Sequence, residues 1–320
     1  MKVVVTGGAG FLGQRLIREI LQRGELTDAG GARRRIEEVV AVDQVAAPAM
    51  EGVRAAVGDV GDAGFVHDAV RGADSVFHLA AVVSGAAEAD FGLGMHVNLD
   101  GTRALLEALR GEGRRPRLVF ASSVAVFGGA LPAVVDDATT PMPQSSYGVQ
   151  KLIGELLVGD YSRKGYLDGR AVRLPTIVVR PGKPNAAASS FASGIIREPL
   201  AGAEAVCPVE AETSMWVLSP AYAITNLLHT HELPADRWTG PRSLSLPGIT
   251  VSVRAMLDAL AKVGGEGARA RVQMRPDPRI QAIVQTWPAR FATARADAMG
   301  FVRDGDFESI VRAYAKEYVR

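Results

Sequence analysis

A short apolar run, Val3 to Val5, leads without a break into Thr6-Gly-Gly-Ala-Gly-Phe-Leu-Gly13, after which Leu12, Leu16, Ile17, Ile20 and Leu21 recur at helical spacing. This order of strand, glycine turn and helix constrains the fold more than any other stretch, because it starts a parallel sheet wound with helices. Gly7, Gly10 and Gly13 permit the tight turn, let a pyrophosphate approach the backbone, and let the helix pack closely on the sheet. The helix N-terminus, opening on Phe11 and Leu12, then faces the phosphates.

The alternation of strand and helix continues. Val39 to Val42 form a second strand ending in Asp43, whose carboxylate can accept hydrogen bonds from the ribose hydroxyls of an adenosine. It would repel a 2′-phosphate, and Gln44 and Val45 supply no cation to hold one, so the residues select NAD. Gly13 and Asp43 are 30 residues apart, against about 20 in the usual spacing. Gly24 to Glu38 reads as a surface insertion that accounts for the difference, with Arg33 to Arg35 as a solvated loop. A third strand, Val53 to Val57, leads to Gly58-Asp59-Val60, and a fourth, Val76 and Phe77, to His78-Leu79-Ala80-Ala81. The small residues after the fourth strand leave room for a flat cofactor. His78, embedded in an apolar strand, reads as a hydrogen-bonded packing residue rather than a base. Asn98, inside the next helix, is either a mild misfit or a tether for neighbouring backbone and water.

The second chemical stretch runs from Phe120 to Lys151. Ser123 closes an apolar run (Leu118 to Ala121) that reads as a buried parallel strand, and side chains at such strand ends line the ligand crevice of open α/β sheets. Tyr147 and Lys151, four residues apart, share one face of a helix. An ammonium beside a phenol favours the phenolate, and such a tyrosine can take a proton from an alcohol near neutral pH.

Composition excludes several classes of partner. With 36 basic and 35 acidic residues the net charge is +1, which gives no support for nucleic acid or an anionic membrane. No segment approaches a membrane span, and the strand pattern begins at Val3 with no charged leader and apolar signal core. The single cysteine, Cys207, cannot form an internal disulfide. A cytoplasmic protein that binds no metal is expected.

Taken together, these residues resemble the extended short-chain dehydrogenase/reductase family. The matching pieces are the glycine turn, Asp43, Gly-Asp-Val, His-Leu-Ala-Ala, Asn98 with Gly101-Thr102, Ser-Ser-Val-Ala-Val-Phe-Gly, and Tyr147 with Lys151. The resemblance implies a Rossmann-type doubly wound parallel sheet of the α/β class, with a smaller, mostly C-terminal α/β substrate lobe. It implies a catalytic set of Ser123, Tyr147 and Lys151, and NAD contacts that include Asp59, Val60, Leu79, Ala80, Ala81, Asn98, Pro175 and Thr176, with Tyr147 and Lys151 touching the cofactor as well. A homodimer through the apolar faces of the Asn98 and Tyr147 helices is also implied. Two departures narrow the chemistry. Dehydratases of the family carry Thr-Asp-Glu where this chain has Ser123-Val124-Ala125, so the acid/base pair for eliminating water is missing. Epimerases of the family carry Arg-Tyr-Phe-Asn where this chain has Arg173-Leu-Pro-Thr176.

The run from Arg180 to Arg197 is rich in small residues and carries three cations, Arg180, Lys183 and Arg197. Together with the segments Val82 to Phe91 (containing Ser84) and Ser214 to Pro220, it resembles the D-erythronate dehydrogenase branch of the family, which oxidises the 2-hydroxyl of a four-carbon sugar acid. A small carboxylate substrate needs a cation and a few hydroxyls in a tight pocket. Ser84, Ser123, Tyr147, Arg180, Lys183 and Arg197 are therefore the expected substrate contacts, with any of the three cations as the carboxylate's partner. The expected organisation is a cofactor domain over 1–180, rejoined by 215–247, and a substrate lobe over 181–214 and 248–320. Two other readings stay open: a nucleotide-sugar 4-epimerase with the same catalytic set, and an NAD-sensing binding protein without turnover.

Overall fold

The computed structural model describes residues 1–182, 189–238 and 240–319. The chain opens with β1 (Lys2–Thr6), α1 (Phe11–Arg23), β2 (Glu25–Thr27), β3 (Arg33–Arg35), β4 (Glu38–Asp43), β5 (Val53–Val57), α2 (Ala63–Val70) and β6 (Ser75–His78). Next come α3 (Ser84–Ala89), α4 (Phe91–Gly94), a π-helical turn at Met95–Asp100, α5 (Gly101–Glu112), β7 (Arg117–Ser123), α6 (Ser146–Arg163) and β8 (Asp168–Leu174). Beyond these lie β9 (Thr176–Ile177), α7 (Ser190–Leu200), β10 (Ala205–Cys207), β11 (Ser214–Leu218), α8 (Pro220–Glu232) and β12 (Ser243–Ser245). The last elements are β13 (Ile249–Ser252), α9 (Val253–Ala270), β14 (Val272–Met274), α10 (Pro278–Gln285), α11 (Ala294–Ala298) and α12 (Phe307–Tyr318). No helix among the described residues is long and apolar enough to cross a membrane.

The first compact unit comprises Met1–Ser123, Ser145–Arg173 and Ile224–Ser245. It holds a seven-stranded parallel sheet in the order β12-β8-β7-β6-β1-β4-β5. The chain runs outward from β1 through β4 to β5, then crosses back to place β6 on the other side of β1. That reversal makes the crevice beyond Thr6 and His78 the topological switch point, where open α/β sheets bind ligands. Val4, Val40, Val76, Leu118 and Phe120 are fully shielded and pack with Leu105, Leu106 and Leu109 of α5 and Val66 and Val70 of α2. Strands covered on both faces need such unbroken apolar runs, which is why they were legible as strands. The insertion after α1 is not a loop. β2 and β3 pair antiparallel, and of their arginines Arg33 meets Glu25 and Glu232 while Arg34 meets Asp28.

The second unit comprises Val124–Gln144, Leu174–Ala223 and Leu246–Arg320. The division is finer than a boundary at residue 180. Val124–Gln144 belongs here because Phe127 packs edge-on against Phe291 and Val135 bridges to the same residue. β9 and β11 also belong here, in a three-stranded sheet with β13. Of the 215–247 stretch, β12 alone among the strands rejoins the large sheet. The core of this unit joins Ile195 and Ile196 of α7, Met256 and Leu260 of α9, and Ile310 and Val311 of α12.

Candidate active site

The glycine turn is built so tightly that side chains cannot enter it. Gly7 adopts φ +73°, and a Cβ there would lie 2.8 Å from the Ala80 nitrogen. A Cβ on Gly13 would lie 2.1 Å from the Gly7 carbonyl oxygen, so α1 can approach the turn only because the position is glycine. The Gly10 amide donates to the Gly7 carbonyl (3.0 Å), and Gly10 caps α1 without a side chain. The first amides of α1, at Phe11 and Leu12, thus face outward without a side-chain cap, as an anion site requires. Asp43, at the tip of β4, accepts from the Ala9 amide with Oδ2 (3.0 Å) and from the Gln44 amide with Oδ1 (2.8 Å). It therefore ties the turn to its own strand while each oxygen keeps a lone pair. A cradle that a Cβ would fill, capped by a carboxylate, fits the pyrophosphate and adenosine ribose of a dinucleotide.

Asp59 accepts from the Gly61 amide and from His96, at 2.8 Å each, and these bonds hold its carboxyl below the usual range. Its neighbour Val60 is buried beneath Gly101. Leu79, Ala80, Ala81 and Ser84 follow β6; Ser84 opens α3.

His78 is a packing residue, as its apolar strand suggested. Thr102 spends its hydroxyl proton on the Asn98 carbonyl (2.7 Å), so His78 Nε2 carries the hydrogen given to Thr102 (3.0 Å). Its Nδ1 accepts from the Thr6 hydroxyl (2.6 Å), which accepts in turn from the Ala80 amide (3.2 Å). Burial, aided by Lys151, pushes the imidazole down to about 3, so it stays neutral. Of the two readings of Asn98, the tether holds: its amide takes the Val82 N–H (2.8 Å) and donates to the Val82 carbonyl (3.1 Å) and Gln150 (2.8 Å). All of these bonds point into the unit, so Asn98 fixes the chain leaving β6. A π-helical turn supplies the local bulge.

Ser123 ends β7 and Tyr147 stands in the first turn of α6; both are half-buried, whereas Lys151 is 3% exposed. Gly154 lets α6 close on the strand, for a Cβ there would lie 2.6 Å from the Phe120 ring. Lys151 Nζ consequently donates to the Ala121 carbonyl (3.0 Å), two residues before Ser123, and lies 5.7 Å from the centre of the Tyr147 ring and 4.9 Å from that of Phe120. Burial lowers the ammonium to about 8, against the pull of Glu155. It is charged at neutral pH and loses its proton just above. The helix N-terminus at Ser145 and Ser146 adds positive potential at Tyr147.

In the second unit Pro175 is buried and Thr176 opens β9. Arg180 is half-buried, its amide donating to Ser193 Oγ (3.0 Å) and its carbonyl accepting from Arg197 Nη1 (2.8 Å). Arg197 is itself buried, and its Nη2 pairs with Glu198 (2.5 Å), so its guanidinium is used within α7 and its neighbours. Lys183 lies outside the described residues. Sequence reasoning missed buried Ser122 and Glu155 and the direction of half-buried Arg173, which form a cluster beside Lys151. The one available signal was Glu155 at four residues beyond Lys151.

A model described as the NAD dependent epimerase/dehydratase family matches residues 3–216. The chain is 52% identical to the D-erythronate dehydrogenase of Cupriavidus necator, over 99% of its own length and 98% of that protein's. It is 42% identical to the D-erythronate dehydrogenase of Haemophilus influenzae, over 98% of each. A crystal structure of the nucleoside-diphosphate-sugar epimerase from Agrobacterium tumefaciens is 41% identical, with a TM-score of 0.92 over 99% of this chain and 94% of that one.

Proposed function

The chain belongs to the NAD dependent epimerase/dehydratase family and is an NAD-dependent oxidoreductase, and from that footing we propose that it oxidises the 2-hydroxyl of a small sugar acid, D-erythronate, to 2-dehydro-D-erythronate. Similarity over nearly the whole length to two D-erythronate dehydrogenases supports the substrate. The chemistry rests on one observation, the buried Lys151 ammonium set beside the Tyr147 ring at the end of β7.

NAD, when bound, supplies the acceptor for the hydride that leaves carbon 2. The glycine turn and the first amides of α1 hold its pyrophosphate, and Asp43 accepts from the adenosine ribose. We assign further contacts to Asp59, Val60, Leu79, Ala80, Ala81, Pro175 and Thr176, with Asn98 acting through Val82. Tyr147, as phenolate, removes the proton of the substrate hydroxyl while Ser123 hydrogen-bonds that oxygen. Lys151 stabilises the phenolate and donates to the nicotinamide ribose. The substrate's carboxylate needs a cation, because burying it alone would cost several kcal/mol. Arg180, which follows β8 and β9 closely in sequence, is the partner we assign first, with Lys183 and Arg197 as further candidates and Ser84 as a hydroxyl contact.

Mixing the protein with NAD and D-erythronate should form NADH, read by its absorbance. A 4-epimerase would instead interconvert UDP-sugars without accumulating NADH and ignore the acid, and that outcome overturns the assignment. In the same assay Arg180→Gln should raise KM for the acid by about tenfold or more at unchanged NAD affinity. An unchanged KM removes Arg180 from the site.

A further inference from the structure

Tyr147, Lys151 and Glu155 follow one another at four-residue spacing, a single stripe along α6. The strand end beside them is engaged residue by residue. Lys151 donates to the Ala121 carbonyl (3.0 Å), and the Ser122 hydroxyl donates to Glu155 Oε1 (2.5 Å). Ser123 is the next residue. Glu155 is 4% exposed, and Arg173 of β8 grips both of its oxygens, Nε at 2.9 and 3.1 Å and Nη2 at 2.7 Å. Arg173 Nη2 also reaches Ser243 Oγ of β12 (3.3 Å). A buried pair of this kind adds little net stability over an apolar pair of the same size, but it can fix a register.

We propose that Ser122 and Glu155 are positioning residues for the reaction: the Ser122–Glu155 bond fixes the end of β7 against α6, setting Ser123 in register with Tyr147, and the Glu155 carboxylate keeps the Lys151 ammonium charged. This rests on the assignment of Ser123, Tyr147 and Lys151 to the chemistry. Few charges compete with Glu155 around Lys151. From α6 come Tyr147 and Glu155, and from β6 comes His78, which burial holds neutral. β7 presents the Phe120 ring and a carbonyl, neither of which titrates. Arg173 acts through Glu155. Glu88 of α3 is taken by the Ser146 amide at the start of α6, Glu107 of α5 meets Tyr161 near its far end, and His96 of the π-helical turn is paired with Asp59. Burial pulls the Lys151 ammonium down and Glu155 opposes it. Removing the carboxylate also leaves the Arg173 charge uncompensated, and both changes make Lys151 lose its proton at lower pH.

Two variants separate the two roles. Ser122→Ala leaves the Glu155–Arg173 pair intact, so kcat with D-erythronate and NAD should fall about tenfold or more through misplacement alone. KM and NAD affinity should hold within about twofold, with the pH profile in place, and Ser122→Thr should retain most of the turnover. Glu155→Gln should move the titration of Lys151, followed by NMR of side-chain-labelled lysine in the protein without NAD, down by about one pH unit. The alkaline limb of kcat should move with it. Wild-type kcat in Ser122→Ala overturns the positioning role, and an unmoved Lys151 titration in Glu155→Gln overturns the charge role. If Glu155→Gln does not fold, the Ser122 variants still decide the first. Failure of the underlying assignment looks different: Lys151→Met would then turn over D-erythronate at the wild-type rate.

Discussion

The two ends of the parallel strands in the first unit treat charge in opposite ways. At the amino ends, Arg117 and Arg170 are 1% and 0% exposed, yet each guanidinium meets a carboxylate and backbone carbonyls. Both arginines share Asp168 with Arg242 (2.7 to 3.2 Å). Further hydrogens cap the carbonyls at the end of α8 and just past it: Arg117 at His231 (2.7 Å), and Arg170 at Thr230 (2.7 Å), His231 (3.2 Å) and Leu233 (2.5 Å). Burial alone would raise the Asp168 carboxyl, but Arg170, Arg117 and Arg242 together hold it below its ordinary value. Next to it, burial works against ionised Glu232, and the hydrogen bonds from His231 and Thr27 outweigh it, bringing that carboxyl down to about 2. At the carboxyl ends, Lys151 is equally buried but meets a carbonyl and two ring faces, and among the described residues forms no ion pair with a carboxylate. A charge matched on all sides holds strands and helices in place. One left partly unmatched can titrate near neutrality, as Lys151 does at about 8, and that is the property the proposed chemistry uses.

Substitutions at the two ends should therefore fail in different currencies. The largest effect is expected at Tyr147. Tyr147→Phe removes one half-buried hydroxyl, and turnover should fall by at least about 100-fold, the scale of general-base catalysis, while NAD binding and thermal stability persist. Turnover retained in the folded variant would remove Tyr147 from the mechanism and leave the carboxyl end with no catalytic distinction. Asp168→Asn should do the reverse. It leaves three arginines without their shared anion, and unfolding in urea should show a loss of about 3–5 kcal/mol, with kcat per folded molecule unchanged. The sign with pH follows from the depressed carboxyl. Its stabilisation is complete above the unfolded value of about 4 and is lost as pH falls through the lower folded value. Glu232 contributes over the window from 4.5 down to about 2. Wild-type protein should thus weaken on acidification through that range, and Asp168→Asn should weaken less.

The sequence exposed these two ends unequally. The glycine turn, Asp43, and the Tyr147–Lys151 spacing were legible because each depends on neighbours within a turn or a strand, where periodicity reports geometry. Asp43 lay 30 residues from Gly13 and was still readable, because the β2–β3 insertion breaks no strand. The amino-end network was invisible for the opposite reason. Arg117 reaches the His231 carbonyl across 114 residues, and nothing in either segment's pattern announces the other. Ser122, Glu155 and Arg173 fall between these cases, one helical turn from a recognised lysine but paired through a different strand. The membership of Val124–Gln144 in the second unit was illegible too, since the segment leaves the first unit with no composition change at either border.

Asp43 is the residue on which the contrast can be sharpened most finely. It sits at a carboxyl end, yet its oxygens are tied to the Ala9 and Gln44 amides much as the amino-end charges are tied to their partners. A purely structural carboxylate and a ligand-binding one would look alike in those two bonds. They differ in what is lost on neutralisation. An asparagine side chain has a single acceptor oxygen and can serve only one of the two amides. Asp43→Asn therefore loosens the glycine turn slightly and would weaken any dinucleotide equally by that route. If the carboxylate also receives the ribose hydroxyls, the variant loses charge-assisted bonds that only a free 2′-hydroxyl can make. NAD affinity should then drop severalfold, while NADP, no longer facing an anion, should bind no worse and should gain in kcat/KM relative to NAD. Comparing the two cofactors in wild type and Asp43→Asn separates the roles. Wild type should prefer NAD strongly, and an equal fall for both cofactors in the variant would assign Asp43 to the structural class and leave the choice of NAD without its proposed cause.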